Sequence, residues 1–223
     1  MKLICLIPAR KNSQRFKNKN FKLIKNLPLI NHTINLAKKL KSFKKIIVST
    51  DSKKILSLQK KYKNIVFLKR PSKFSNSTTL MKDVIKHAID SLQINKSEYE
   101  AIAILQPTSP LRKLKTIEKA IKIFKNKKPD YLATVRRLKH TEHPYMIISS
   151  NKKKAFSKKF NFLISNKRNK LNFYSLDGGV IFILNINNKS YELKGKGEFL
   201  EINFPETIDI DYKEDFELAK KFI

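Results

Sequence analysis

At 223 residues the chain is long enough for one domain with a substantial core, and its 41% of hydrophobic residues is typical of a folded protein. Its 49 basic and 18 acidic residues give a net charge of +31, which suggests acidic partners. The basic residues run through every segment, however, so we attribute most of this charge to the overall composition and not to a binding patch. The lone cysteine, Cys5, excludes a disulfide framework or a thiolate metal site, and no stretch has the length and apolar character of a membrane span, so we expect a cytoplasmic protein.

Strand-like and helix-like patterns alternate along the first 135 residues. Short continuous apolar runs predict strands at 3–8, 45–50, 64–68, 101–106 and 131–135. Apolar residues at helical spacing predict helices at 30–40, 52–62, 80–92 and 117–124, the second of them capped by Asp51. The first run, LICLIP, is too short for a signal peptide. This order predicts an α/β fold with three layers, α/β/α, around a mostly parallel, twisted, Rossmann-like sheet.

The alternation breaks at about 139–176, where Lys and Asn dominate. We treat residues 1–223 as a single domain with an insertion there, which is either a poorly ordered surface segment or a small lid or dimerisation arm. A strand is predicted at 178–184, and residues 204–223 predict a strand followed by a helix. Asp211 and Glu214 have the spacing of a capping box at the start of that helix.

The loops that follow the predicted strands are expected to share one rim, because ligands of such folds bind beyond the carboxyl ends of the strands. These loops are 9–20, 49–52, 69–79 and 106–113. With only four glycines, the chain has neither a dinucleotide-binding GxGxxG loop nor a P-loop, and it has no GxSxG nucleophile elbow. The chemistry must therefore come from other side chains on the rim.

The first loop is strongly cationic. Arg10 follows the first strand directly, and Lys19 precedes the next element. A guanidinium fork and a compact ammonium, together with backbone N–H groups, are suited to phosphate oxygens. The alternative is a solvated surface loop, but its position at the carboxyl end of a parallel strand favours an anion site.

The loop LQPTSPLR at 105–112 carries polar side chains between two prolines. Since proline restricts φ, Gln106 is expected to be held rigidly, with a donor and an acceptor for a base or sugar. From these residues alone, a plain strand-to-helix turn is an equally good explanation.

Asp209 and Asp211, in the segment IDID, would point to the same face of an extended chain. A divalent cation would relieve their repulsion, and Mg²⁺ typically uses one or two carboxylates together with substrate phosphates. The alternative is a helix cap and a surface aspartate. A triphosphate loop, a rigid acceptor loop and a Mg²⁺ pair together predict a nucleotidyltransferase.

The sequence also resembles a known family over nearly its whole length. IPARKNSQRFKNKN, IIVSTDS, the pair RP at 70–71, LQPTSPLR and IDIDYKEDFELA are similar, in that order, to the cytidylyltransferases that activate acidic nine-carbon sugars, with the CMP-N-acetylneuraminate synthetases nearest. The resemblance implies a reaction of CTP with an acidic 2-keto-3-deoxy sugar, a nucleotidyltransferase fold, Mg²⁺ (or Mn²⁺ in its place) as cofactor, and a homodimer.

The resemblance also assigns roles to individual residues. It implies Arg10 and Lys19 as catalytic phosphate-binding cations, with Asn12, Ser13, Asn20 and Arg70 in the nucleotide site. It implies Gln106 and Arg168 as acceptor contacts, and Asp209 and Asp211 as metal ligands.

The acceptor remains open among sialic, legionaminic, pseudaminic and related acids, because the arginines that the family carries before its late strand are replaced here by NFYSLD at 172–177. A 3-deoxy-manno-octulosonate cytidylyltransferase-like enzyme is an alternative. A basic nucleic-acid-binding protein is a further one, but its charge would be concentrated on one stripe and its binding would persist at physiological salt.

Overall fold

The computed structural model describes residues 1–11, 13–139, 142, 149–151, 154–156, 173–176, 179–188 and 190–223. Its strands, numbered in chain order, are β1 Leu3–Pro8, β2 Leu23–Ile24, β3 Leu27–Pro28, β4 Phe43–Thr50, β5 Val66–Lys69, β6 Ala101–Ile104, β7 Tyr131–Arg137, β8 Ser149–Asn151, β9 Lys154–Phe156, β10 Tyr174–Ser175, β11 Phe182–Asn185 and β12 Gly197–Glu201. Its α-helices are α1 Leu29–Lys38, α2 Lys53–Leu56, α3 Met81–Ser91, α4 Leu114–Lys127 and α5 Lys213–Lys220.

The main sheet has eight strands, seven of which follow the order β10-β7-β11-β6-β1-β4-β5, with β12 also paired to β7. Strand β1 pairs in parallel with β4 and β6, and β4 pairs in parallel with β5. Strand β11 runs antiparallel to both β6 and β7. The sheet is therefore mixed, with a parallel half that carries the loops expected to form the site. The two small sheets, β2–β3 and β8–β9, are hairpins apart from it.

Both faces of the sheet are buried, as the continuous apolar strands predict. Along β1, Leu3, Cys5 and Ile7 face a core shared with α1 and α4, whereas Ile4 and Leu6 face a second core shared with α3. A strand covered on both faces has no polar side, which is why β1 and β6 read as unbroken apolar runs. A third cluster lies beneath α5 and includes Ile208 and Ile210. The prediction of a three-layer α/β fold is confirmed.

Four details differ from the sequence-based expectations. Helix α2 is only one turn long and continues as a 3₁₀ turn, and its cap is the Ser52 hydroxyl, which accepts from the Ile55 N–H, rather than Asp51. The segment IDID is not in a strand. At α5, Asp215 rather than Glu214 accepts the N–H groups of Asp211 and Tyr212. Strand β12 was not predicted, because only Leu200 among its residues is buried.

The predicted insertion at 139–176 falls mostly outside the described residues, so its role as a lid or dimerisation arm stays a prediction. Within the described ranges, none of the helices combines the length and the apolar character needed to cross a bilayer.

Candidate active site

A cleft of about 340 Å³ opens at the carboxyl ends of the parallel strands. Its walls come from the loops after β1, β5 and β6 and from the segment before α5, and they include Arg10, Ser13, Arg15, Lys19, Asn20, Arg70, Asn76, Gln106, Thr108 and Asp211. The end of β4 and the loop after it contact the segments that form these walls, since the Ser49 carbonyl accepts from Arg70 and Asp51 accepts from the Lys11 N–H. The predicted loops thus meet at one rim because parallel strands end at one edge.

An ion cluster surrounds Asp211 in the wall of the cleft. Lys19 donates from Nζ to the Ile210 carbonyl at 2.8 Å and to Asp211 Oδ1 at 3.1 Å. Arg15 forms an ion pair with the other oxygen of the same carboxylate, and its guanidinium also lies over the Tyr212 ring. The Lys19 side chain is only 15% exposed, whereas that of Asp211 is 37% exposed. The cations of the first loop and the carboxylate of the last are therefore adjacent.

Two contacts hold the first loop in this place. The Phe16 ring packs against Phe216 of α5 with a centroid separation of 5.4 Å. Residues Lys19–Phe21 form a 3₁₀ turn entered through Asn18, whose φ of 56° is in the left-handed region that Asn tolerates better than most residues. Lys19 therefore starts a rigid turn instead of extending from a flexible loop.

Arg10 and Asn20 form another part of the cleft wall. The Asn20 side chain is buried and donates from Nδ2 to the Arg10 carbonyl at 3.1 Å. The Arg10 guanidinium donates to the Asn76 carbonyl at 3.1 Å and thereby reaches the loop after β5. That loop is braced by the Asn76 side chain, which accepts from the Thr78 N–H and from the Thr78 and Thr79 hydroxyls. Asn20 thus supports the backbone that carries Arg10.

Arg70 lies almost fully buried at the end of β5. Its Nη2 donates to the Ser49 carbonyl at 3.2 Å, and its Nε has no hydrogen-bond partner among the described residues. Burial lowers the pKa of Arg70, an effect that Asp51 opposes and Arg10 reinforces. Arg70 lines the cleft, and a guanidinium in that position is suited to an acceptor atom of a ligand.

The segment with the two aspartates crosses the rim beside the Gln106 loop. The Ile210 N–H donates to the Thr108 carbonyl at 2.8 Å, and Ile208 and Ile210 are buried. Asp209 and Asp211 alternate with them and are partly exposed. Asp211 lines the cleft, whereas Asp209 does not and instead accepts from the Ser109 hydroxyl at 3.5 Å.

The two aspartates fit a magnesium ion that takes its other ligands from a substrate. No group of three or more His, Cys, Asp and Glu side chains able to hold a metal occurs in the part of the chain that the structure describes. Two carboxylates separated by one residue, one of them in the cleft beside cations suited to phosphates, match the one or two protein ligands that Mg²⁺ commonly takes beside a nucleotide.

The remaining predicted residues have different outcomes. Ser13 lines the cleft and is buried, and Gln106 also lines the cleft. Asn12 and Arg168 lie outside the described residues. The sequence interpretation gave no individual role to Arg15, Asn76 or Arg112. All three act through contacts to residues far away in the chain, which no local motif reveals.

Comparisons with known proteins identify the family of the chain. A family model described as cytidylyltransferase matches residues 4–222. The N-acylneuraminate cytidylyltransferase of Escherichia coli O18:K1:H7 is 31% identical over 226 residues, which cover 98% of this chain and 51% of that protein. The CMP-N,N'-diacetyllegionaminic acid synthase of Legionella pneumophila is 38% identical over 128 residues, which cover 56% of this chain and 54% of that protein. The chain thus spans about half the length of the Escherichia coli relative.

Among solved structures, that of CMP:2-keto-3-deoxy-manno-octonic acid synthetase complexed with CTP superposes with a TM-score of 0.70 and covers 99% of this chain and 98% of its own. Its sequence identity is 16%, so this likeness concerns the fold alone.

Proposed function

Since the chain belongs to the cytidylyltransferase family, we propose that it transfers CMP from CTP to the anomeric hydroxyl of a nonulosonic, sialic-type acid and releases pyrophosphate. The observation that carries the proposal is the single cleft in which Arg10, Lys19, Arg70, Gln106 and Asp211 meet. Cations for a triphosphate, a rigid amide for an acceptor and a carboxylate for a metal are the groups that this transfer needs.

In the proposed reaction the sugar hydroxyl oxygen forms a bond to the α-phosphorus of CTP. The bond from that phosphorus to its bridging oxygen breaks, pyrophosphate leaves with both bond electrons, and the hydroxyl proton passes to solvent. Lys19 and Arg10 would bind the phosphate oxygens and offset the charge that builds on them in the transition state. The 3₁₀ turn positions the backbone of Lys19, and the Asn20 side chain supports the backbone of Arg10, so both cations start from defined places in the cleft wall.

The proposed nucleotide contacts are Asn20, Arg70 and the loop with Ser13 and Asn12, and the proposed acceptor contacts are Gln106 and Arg168. Asp209 and Asp211 would hold Mg²⁺, or Mn²⁺ in its place. The bound ion would neutralise phosphate charge and lower the pKa of the attacking hydroxyl.

We also propose that the protein forms a homodimer, and sedimentation of the purified protein tests this.

A pyrophosphate-release assay tests the proposal. The purified chain is incubated with CTP, Mg²⁺ and, in separate reactions, sialic, legionaminic, pseudaminic and 3-deoxy-manno-octulosonic acids. We expect turnover with at least one nine-carbon acid and a CMP-sugar product of matching mass. Turnover only with the eight-carbon acid would contradict the proposed acceptor class, and no CTP-dependent release with any acid would overturn the function. ATP, GTP and UTP in place of CTP serve as controls for the nucleotide.

A further inference from the structure

Arg112 is a buried guanidinium that the proposed chemistry does not use. It lies two residues before α4, with 4% of its surface exposed. Its Nη2 donates to the carbonyl of Gln106 and, at 3.4 Å, to the carbonyl of Gly179. Its Nε and Nη1 have no hydrogen-bond partner, and no ion pair to Arg112 is found among the described residues.

Such a group is expensive to bury. A guanidinium loses its hydration in the interior, and unpaired N–H groups add to that loss. Burial lowers the pKa of Arg112 to about 10, while Cys5 and Asp209 oppose the shift. The side chain therefore keeps its charge at neutral pH. Because two carbonyls are its only hydrogen-bond partners in the described chain, holding them together is the contribution the side chain makes.

The Gln106 side chain lies against the backbone of Gly179. Gly179 has a φ of +45°, and a Cβ atom added there would lie 3.0 Å from Gln106 Cδ. The bare Cα of Gly179 thus packs directly on the Gln106 amide arm. Gln106 in turn lines the cleft beside Thr108. The loop after β6 and the chain entering β11 are separated by about 70 residues and are joined at this point by Arg112.

We propose that Arg112 is a positioning residue that ties the Gln106 carbonyl to the Gly179 carbonyl and thereby sets the direction of the Gln106 amide towards the acceptor sugar. The identity of the acceptor rests on the proposed function, whereas the geometric role does not. Both hydrogen bonds come from Nη2, whose two N–H groups are held in fixed directions by the planar guanidinium, whereas the N–H groups of a lysine ammonium rotate at the end of a flexible stem. Arg112 therefore controls recognition of the acceptor without touching it.

The first experiment reads the Gln106 side chain without any catalysis. Chemical shifts and relaxation of its ¹⁵N-labelled amide group are recorded for the wild type, Arg112→Met, Arg112→Lys and the control Lys115→Met, whose parent side chain is exposed on α4. We expect the Gln106 amide to shift and gain mobility in Arg112→Met, to do so less in Arg112→Lys, and to stay unchanged in the control. An unchanged Gln106 amide in folded Arg112→Met overturns the proposal.

If Arg112→Met does not fold, the same Gln106 amide signals are recorded for Arg112→Lys and Gly179→Ala instead. The added methyl group displaces Gln106 from the other side, so the same amide signals must move in both variants. Signals that move in neither variant overturn the proposal.

The second experiment separates binding of the two substrates. We expect Arg112→Met to raise the KM for the acceptor acid about tenfold or more, with the Kd for CTP within about twofold of the wild type. Adding free guanidinium ion to Arg112→Ala is expected to lower the raised KM for the acceptor acid part of the way towards the wild-type value. A positioning role is contradicted if only CTP binding weakens. It is also contradicted if acceptor and CTP binding weaken equally and added guanidinium restores neither. If the wild type turns over no acid at all, the proposed function fails while the amide signals still decide the role of Arg112.

Discussion

Asp211→Asn is expected to have opposite effects on CTP binding with and without Mg²⁺. In the structure the Asp211 carboxylate pairs with Lys19, a cation proposed for the triphosphate, and with Arg15, a second cation of the cleft wall. It therefore competes with phosphate for them and repels it. With Mg²⁺ present the same carboxylate is a proposed ligand that draws the nucleotide in. Removing its charge should strengthen metal-free binding and weaken metal-dependent binding.

The size of the effect follows from the geometry. Two like charges about 4 Å apart repel by about 1 kcal/mol in water and by about 4 kcal/mol at an effective dielectric of 20. Since the Asp211 side chain is 37% exposed, the lower part of that range applies. We expect CTP to bind about tenfold more tightly to Asp211→Asn without Mg²⁺, which is about 1.4 kcal/mol. Turnover with Mg²⁺ should fall by at least about 10²-fold, because metal stabilisation of the transition state is worth several kcal/mol.

Calorimetric titration with CTP, with Mg²⁺ or with EDTA, measures both arms, and pyrophosphate release measures turnover. Glu217→Gln is the matched control, because it removes the same charge from an exposed side chain of α5 that pairs with Lys220 at 2.8 Å. Loss of partly exposed ion pairs should lower Tm by only about 2–4 °C. Equal CTP affinity of the wild type and Asp211→Asn in EDTA, or an undiminished Mg²⁺ effect in the variant, would refute the reasoning.

Other substitutions test other parts of the site. Lys19→Ala should lower kcat by about 10²–10³-fold, the loss typical of a fixed transition-state donor, with a modest change in CTP affinity by titration; an unaltered kcat removes Lys19 from the mechanism. Asp215→Ala should remove the cap on the N–H groups of Asp211 and Tyr212 and cost about 1 kcal/mol by urea denaturation, and it should also raise the Mg²⁺ concentration needed for half-maximal rate. Burial raises the pKa of the Cys5 thiol far above its ordinary value, so at pH 8 Cys5 should react with a thiol reagent in urea but not in the native protein, and rapid native labelling would contradict its burial.

Much of the fold is readable from local pattern. Strands β1 and β6 are covered on both faces, so burial leaves an unbroken apolar signal in the sequence. Helices α3 and α4 each bury one stripe of apolar side chains, and the helical spacing of these residues predicts the helices from the sequence. Strand β12 escaped prediction because its main stabilisation is a ladder to β7, and backbone hydrogen bonds leave no mark on residue type.

The sequence by itself determined which residues stand at the ends of the parallel strands, since chain order and apolar runs fix where each strand stops. Tertiary structure alone decided which of them touch. Lys19 and Asp211 are 192 residues apart, and Arg112 and Gly179 are 67 apart. Contacts over such separations depend on how the sheet and α5 pack, through pairs such as Phe16 with Phe216. Hydrophobic periodicity is a property of neighbours along the chain, whereas an ion pair across a cleft is a property of the folded surface.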